Sequence, residues 1–314
     1  MSEPTGNTDP VESALSDLFD GQTVPAPRAA FAEQLQARLE AELADTDQTD
    51  TTDKRTGTEM ADQPDTAITP DTEAAPEGEV GPINVGSLFY ATLPAADLDR
   101  SARFYSTLFG WDLDRGSSGY HISNVYPPMG LAGGDGGDPE VWIEVDDIEQ
   151  AVTAVRSLGG TAEDPAHYDS GWSSACTDPQ GVRFNLQVPT ERYRQPARRS
   201  TSRGELFYWT LPAPQAAESK AFYNELFGWE FGNPGTSGGM HIENRLPDGG
   251  LGGGREGTTP DLFFRVDDLE AAMATVVELG GTAEPAGEGE EGRHAMCVDD
   301  QGVAFGISQP ADGY

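Results

Sequence analysis

Lysine is almost missing from this chain of 314 residues: Lys54 and Lys220 stand alone, and 19 basic residues in all face 54 acids for a net charge of -35. A field of that sign repels phosphate backbones and anionic lipid, so neither a nucleic acid nor a membrane surface is an expected partner. Acidic, lysine-poor surfaces also suit a salty cytoplasm. No apolar run is long enough to cross a bilayer, and the N-terminus lacks the basic start and hydrophobic stretch of a secretion signal. The expectation is a soluble, cytoplasmic protein. Cysteine is scarce too, and Cys176 and Cys297 hold equivalent places in two separate stretches, which reads as two small buried strand residues rather than a disulfide.

What the chain does have is a long duplication. The pattern F-Y-x-x-L-F-G-W runs from Phe104 to Trp111 and again from Phe222 to Trp229. The copies then stay in step: Gly119-Tyr120-His121-Ile122 with Gly239-Met240-His241-Ile242, Val145-Asp146-Asp147 with Val266-Asp267-Asp268, and Leu158-Gly159-Gly160-Thr161 with Leu279-Gly280-Gly281-Thr282. Asp178 before Gln180-Gly181-Val182 recurs as Asp299 before Gln301-Gly302-Val303. Two copies of so long a period indicate a duplicated domain, not a solenoid.

Ahead of the repeats lies an acidic extension, residues 1–85. Within it Phe31, Leu35, Leu39 and Leu43 recur at fourfold spacing and predict an amphipathic helix over about 28–44, with a shorter one at Val11 to Phe19. Residues 45–80 carry too few large apolar side chains to offset the entropy of ordering and read as a disordered linker. The helix either docks on its own domains or offers a face to a protein partner. Between the repeats, residues 190–203 hold Arg192, Arg194, Arg198, Arg199 and Arg203. They read as a solvated linker, the alternatives being an anion contact or a clasp on the acidic tail.

Hydrophobic alternation and turn residues predict strands at Leu88 to Leu93, Trp111 to Leu113, Tyr120 to Ser123 and Met129 to Ala132, with a helix from Asp97 to Phe109 that Gly110 stops. The order restarts with a strand at Glu140 to Val145 and a helix at Asp147 to Leu158. Strands near Thr161, at Ser173 to Thr177 and at Val182 to Val188 complete it. Each repeat is therefore a pair of βαβββ units.

In their order and spacing, the F-Y-x-x-L-F-G-W helix end, the V-D-D helix start, the L-G-G-T turn and the Asp178-Pro179-Gln180-Gly181 turn resemble the vicinal oxygen chelate superfamily, the glyoxalase, bleomycin-resistance and extradiol-dioxygenase group. The likeness implies an α+β fold of two tandem domains, over 86–189 and 204–310, each curling a mixed sheet into a cup with helices outside and the ligand within. Alternation agrees: Val141, Ile143 and Val145 share one face, leaving Glu140, Trp142 and Glu144 on the other, while Val182, Phe184 and Leu186 oppose Arg183, Asn185 and Gln187.

Metal enzymes of that superfamily draw ligands from the inner faces of the first and last strands. Here those positions fall on Tyr90 and Tyr208, on Glu140 and Asp261, and on Asn185 and Gly306. One carboxylate per cup is too few for a divalent ion that needs three or four converging donors, so no cofactor is expected, a divalent metal being the alternative. Tyr90 with Trp142, and Tyr208 with Phe263, would give flat walls for an aromatic or heterocyclic ligand. His121 and His241 occupy one duplicated position and could pair with Glu140 or Asp261 as acid/base couples, whereas His167 and His294 look like loop residues and Glu144 and Arg265 like rim charges. The leading expectation is a tandem small-molecule-binding protein without the usual metal. Its rivals are a glyoxalase-like lyase, isomerase or dioxygenase with a non-standard site, and an interaction protein working through its N-terminal helix.

Overall fold

Each repeat begins with a strand that turns directly into a capped helix. The computed structural model describes residues 83–116, 118–134, 137–235, 238–289 and 292–311; the expected helices at 28–44 and Val11 to Phe19 and the linker at 45–80 lie outside them. In the first repeat β1 (Leu88–Ala95) leads to Asp97, whose side chain accepts from the Arg100 amide and starts α1 (Leu98–Phe109). Gly110 ends that helix at φ 75°, a left-handed backbone that glycine adopts without strain. There follow β2 (Leu113–Arg115), β3 (Gly119–Ile122) and β4 (Met129–Gly133). The second half repeats the plan: β5 (Glu140–Glu144), α2 (Ile148–Ser157) capped by Asp147, then β6 (Thr161–Ala162), β7 (Ala166–Tyr168), β8 (Gly171–Thr177) and β9 (Arg183–Pro189).

The second repeat has β10 (Leu206–Ala213), α3 (Ala216–Phe227), β11 (Met240–His241) and β12 (Gly249–Gly253). It continues through β13 (Asp261–Arg265), α4 (Leu269–Glu278), β14 (Thr282–Ala283), β15 (Gly287–Gly289), β16 (Gly292–Val298) and β17 (Ala304–Pro310). Among the described residues, β1 to β9 form one nine-stranded mixed sheet in the order β2-β3-β4-β1-β5-β9-β8-β6 with β7 paired to β8, and β10 to β17 a second of eight strands. β1 runs antiparallel to β5 while β1–β4 and β5–β9 are parallel, so the two halves of each sheet are related by a pseudo-twofold through the β1–β5 seam. The α+β fold of two tandem domains, each with a sheet curled into a cup, follows from this pairing.

Expected and observed elements differ in three places. Trp111 precedes β2 rather than opening it, because its indole is buried and donates to the Gly204 carbonyl at 2.9 Å. His167 and His294 lie on β7 and β16, not in loops, since the β8 and β16 hairpins extend further than their apolar residues suggest. Glu144 is no rim charge: it is buried and accepts from the Asn84 amide at 3.0 Å, and burial raises its pKa. The two cysteines are buried strand residues, and burial pushes both thiols up to about 12.

Phenylalanines of the last strands meet helices of the other repeat. Phe305 of β17 meets Phe104, Tyr105 and Phe109 of α1 at ring separations of 6.2, 5.6 and 6.0 Å, and Phe184 of β9 meets Phe222, Tyr223 and Phe227 of α3 at 6.2, 5.9 and 6.0 Å. Polar contacts repeat the exchange. Tyr105 donates to Asp299 at 3.0 Å and Tyr223 to Asp178 at 3.3 Å, while Trp111 reaches Gly204 as Trp229 reaches Gly86. The duplicated F-Y-x-x-L-F-G-W pattern is thus the dovetail between the repeats. The arginine-rich segment is exposed along most of its length and still contacts the repeats: Arg198 pairs with buried Glu205 at 2.6 Å and covers the Tyr126 ring at 4.3 Å, and Arg199 pairs with buried Asp248 at 3.2 Å.

Candidate functional site

Period-two alternation on β1 and β5 turns Tyr90 and Trp142 to the concave face of the first sheet, where they are register partners meeting edge to face with 5.6 Å between ring centroids. β3 and β4 bring His121 opposite Gly130. That glycine is required, because the Tyr90 hydroxyl fills the space where a Cβ would stand. Tyr90 therefore lies parallel to the His121 ring, 6.0 Å between centroids, with its oxygen 3.4 Å from Nδ1. Burial pushes the Tyr90 hydroxyl up to about 12, so it is protonated at neutral pH. Desolvation lowers the His121 pKa, the nearby Asp114 opposing it. The cavity around this pair measures about 800 Å³ and is also lined by Phe89, Asn185, Gln187, Tyr168 and Tyr193, with Glu163 and Asp169 at its edge.

The second cup, about 530 Å³, is built on the same frame. Tyr208 stacks on His241 at 5.8 Å with its oxygen 3.2 Å from Nδ1, and Gly250 opposite His241 leaves room for the hydroxyl. Phe263 lies over Gly306, whose Cβ would collide with the ring, and presents its edge to His294 at 6.3 Å. Arg293 and Ser308 complete the polar lining.

Of the residues singled out from sequence, Tyr90, His121, Trp142 and Asn185 meet in the first cup and Tyr208, His241 and Phe263 in the second. Glu140 and Asp261 do not join the linings. Glu140 is exposed at the sheet margin, in register with Thr92. Asp261 is held by a two-pronged ion pair with Arg255, and burial raises its pKa against that partner. The expected couples of His121 with Glu140 and His241 with Asp261 are replaced by tyrosine–histidine pairs, because β3 and β11 sit on the β1 and β10 side of each sheet, away from β5 and β13. Sequence reasoning passed over Asp248 and placed His294 in a loop. Asp248 lies in a turn whose counterpart is Pro128, and only that break in the repeat could have marked it.

A divalent ion of the kind the superfamily's enzymes use does not fit these donors. Among the described residues no group of three or more His, Cys, Asp or Glu converges. The inherited positions hold a phenol, one carboxylate and an amide or glycine, and in the second cup the carboxylate already carries an arginine.

Residues 90–187 match the family described as Glyoxalase-like domain. No curated protein matches the chain. Solved structures share its fold: the Mn(II)-bound glyoxalase from Novosphingobium aromaticivorans is 13% identical with a TM-score of 0.57, covering 73% of this chain and 83% of its own. Catechol 2,3-dioxygenase is 14% identical with a TM-score of 0.55 over 74% and 91%. The 2,2',3-trihydroxybiphenyl 1,2-dioxygenase from Sphingomonas wittichii strain RW1 is 14% identical with a TM-score of 0.56 over 72% and 90%. No helix among the described residues is long and apolar enough to cross a membrane. Residues 90–187 thus match a glyoxalase-like domain, and the two repeats together share the fold of these glyoxalase and dioxygenase structures.

Proposed function

We propose that the protein binds small aromatic or heterocyclic molecules in its two cups and does so without a metal ion at the inherited positions. The observation that carries this reading is the stacked tyrosine–histidine pair seated over a glycine in both cups, since it puts a duplicated geometry into a flat polar wall rather than a ligand set. Trp142 and Phe263 stand against those pairs, and a planar ligand between them gains aromatic contact on more than one side. The Mn(II) of the Novosphingobium glyoxalase is not carried over, because one carboxylate and a phenol in each cup give a divalent ion too few donors. The acidic composition supports a soluble cytoplasmic setting for such a binder.

Calorimetric titration of the full chain with a panel of planar aromatic compounds tests the reading. Expected are two sites of unequal affinity, with Tyr90→Ala and Tyr208→Ala each weakening one of them by about tenfold or more, the contribution of a buried aromatic wall. Elemental analysis of purified protein should find zinc, manganese, nickel and iron well below one per chain, and chelation should leave binding unchanged. Stoichiometric metal whose removal abolishes binding would sink the proposal.

A further inference from the structure

The two cups differ at one turn. Tyr126-Pro127-Pro128 enters β4 where Leu246-Pro247-Asp248 enters β12, so a proline in the first cup is an aspartate in the second. Asp248 is only 5% exposed. Its Oδ2 meets Arg199 Nε at 3.2 Å and its Oδ1 stands 3.9 Å from His241 Nε2, while the other nitrogen of that ring faces the Tyr208 oxygen at 3.2 Å. Carboxylate, imidazole and hydroxyl therefore stand in series, with Tyr208 and His241 lining the cup and Asp248 behind them. A hydroxyl within reach of a base, with the base oriented by a third group, is the arrangement that lets an O–H give up its proton.

We propose that Tyr208, His241 and Asp248 form a proton-accepting chain by which the second cup binds an acidic phenol as its phenolate, whereas the first cup binds such a ligand as the neutral phenol. With Nε2–H turned to Asp248, Nδ1 holds the lone pair that accepts from Tyr208. The ligand O–H then gives its proton to the Tyr208 oxygen as the Tyr208 proton passes to Nδ1. One O–H and one N–H bond form, two O–H bonds break, and the phenolate and imidazolium that result leave the net charge unchanged. Asp248 touches no ligand and is a positioning residue: at 3.9 Å it faces the imidazolium as a counter-charge. In the first cup Pro128 supplies no carboxylate, and desolvation of His121 works against a charged ring there.

Other charges around His241 are few. Glu243 follows it by two residues at the surface, Arg199 stands behind Asp248 and is half exposed, and Arg293 and His294 of β16 lie across the cup, Arg293 already paired with Glu270. Arg293 across the lumen is the cation facing this cup, while the edge of the first carries carboxylates instead.

The inference rests on the cups being sites for small aromatic molecules, and the probe is chosen to separate the two ideas. 4-Nitrophenol, whose phenolate absorbs visible light and whose neutral form does not, is mixed with the full chain at a pH below its own pKa, and total uptake is measured by equilibrium dialysis. Expected is a phenolate band on binding that drops about tenfold, one pKa unit, in Asp248→Asn and in Tyr208→Phe, while uptake falls by less than the band. Circular dichroism confirms that each variant is folded. Uptake by the wild type with no phenolate band, or a band that survives in both folded variants, overturns the proton chain and leaves the binding reading standing. No uptake at all overturns both.

Discussion

Because Gly250 has no Cβ, the Tyr208 hydroxyl can rest 2.6 Å from the place a Cβ would take, and from there it reaches His241. An added methyl would also press on the Met240 carbonyl, which is backbone and has little room to yield. Gly250→Ala should therefore cost about 1–3 kcal/mol in urea unfolding and turn the Tyr208 ring away from His241. Calorimetry should then show loss of the second-cup site alone; a variant with wild-type stability and both sites intact would refute the role given to this glycine. Single residues were unevenly legible in the sequence. Tyr90, Trp142, Asn185, Tyr208 and Phe263 follow from alternation along strands whose other face is apolar. What each touches depends on strand order, which alternation does not contain, and so His121 was matched to Glu140 when β4 and β1 in fact bring it to Tyr90. Asp248 escaped because a turn has no period to read.

At the level of elements, α1 and α3 cover each other's repeats. The pattern that marks the end of each helix is full of rings because those rings must close over Phe305 and Phe184 of the opposite sheet. Sequence alone shows that Phe305 and Ile307 share a buried face with the strand period, but a face does not name what lies on it. Helix starts were more legible: Asp97, Asp147 and Asp268 each accept from the amide three residues on, a local signal complete within one turn. Phe305 is fully buried and stands among three rings of α1, so Phe305→Ala should destabilise the protein by about 3–5 kcal/mol. Since the core is shared, both repeats should be lost together, tryptophan fluorescence and far-ultraviolet dichroism changing at one urea concentration. Two separated transitions would show that the repeats hold themselves up independently.

For the whole molecule, net charge and buried carboxylates act in the same direction. Burial raises the pKa values of Glu144, Asp178, Asp248 and Asp261, each against hydrogen bonds or cations that oppose it. In the window from the ordinary carboxylate range up to those raised values, the folded protein keeps protons that the unfolded chain has released. Stability from these groups is fully present below that window and is lost as pH rises through it. Self-repulsion at a net charge of -35 also grows as carboxyls ionise and is screened by salt. Among the buried carboxylates of the described residues, Glu205 opposes the trend: burial pushes it upward, but Arg198 and the Thr201 and Ser202 amides outweigh that and hold its pKa low, so its contribution is lost only as pH falls through that lowered value. The thermal midpoint should therefore rise as pH is lowered from about 7 to about 5, and the rise should shrink in molar salt, which removes the repulsion but leaves the buried groups. A midpoint that is flat or falls over that interval at low ionic strength would mean that these carboxylates are stabilised in their charged form by partners stronger than Arg199, Arg255 and the turn amides.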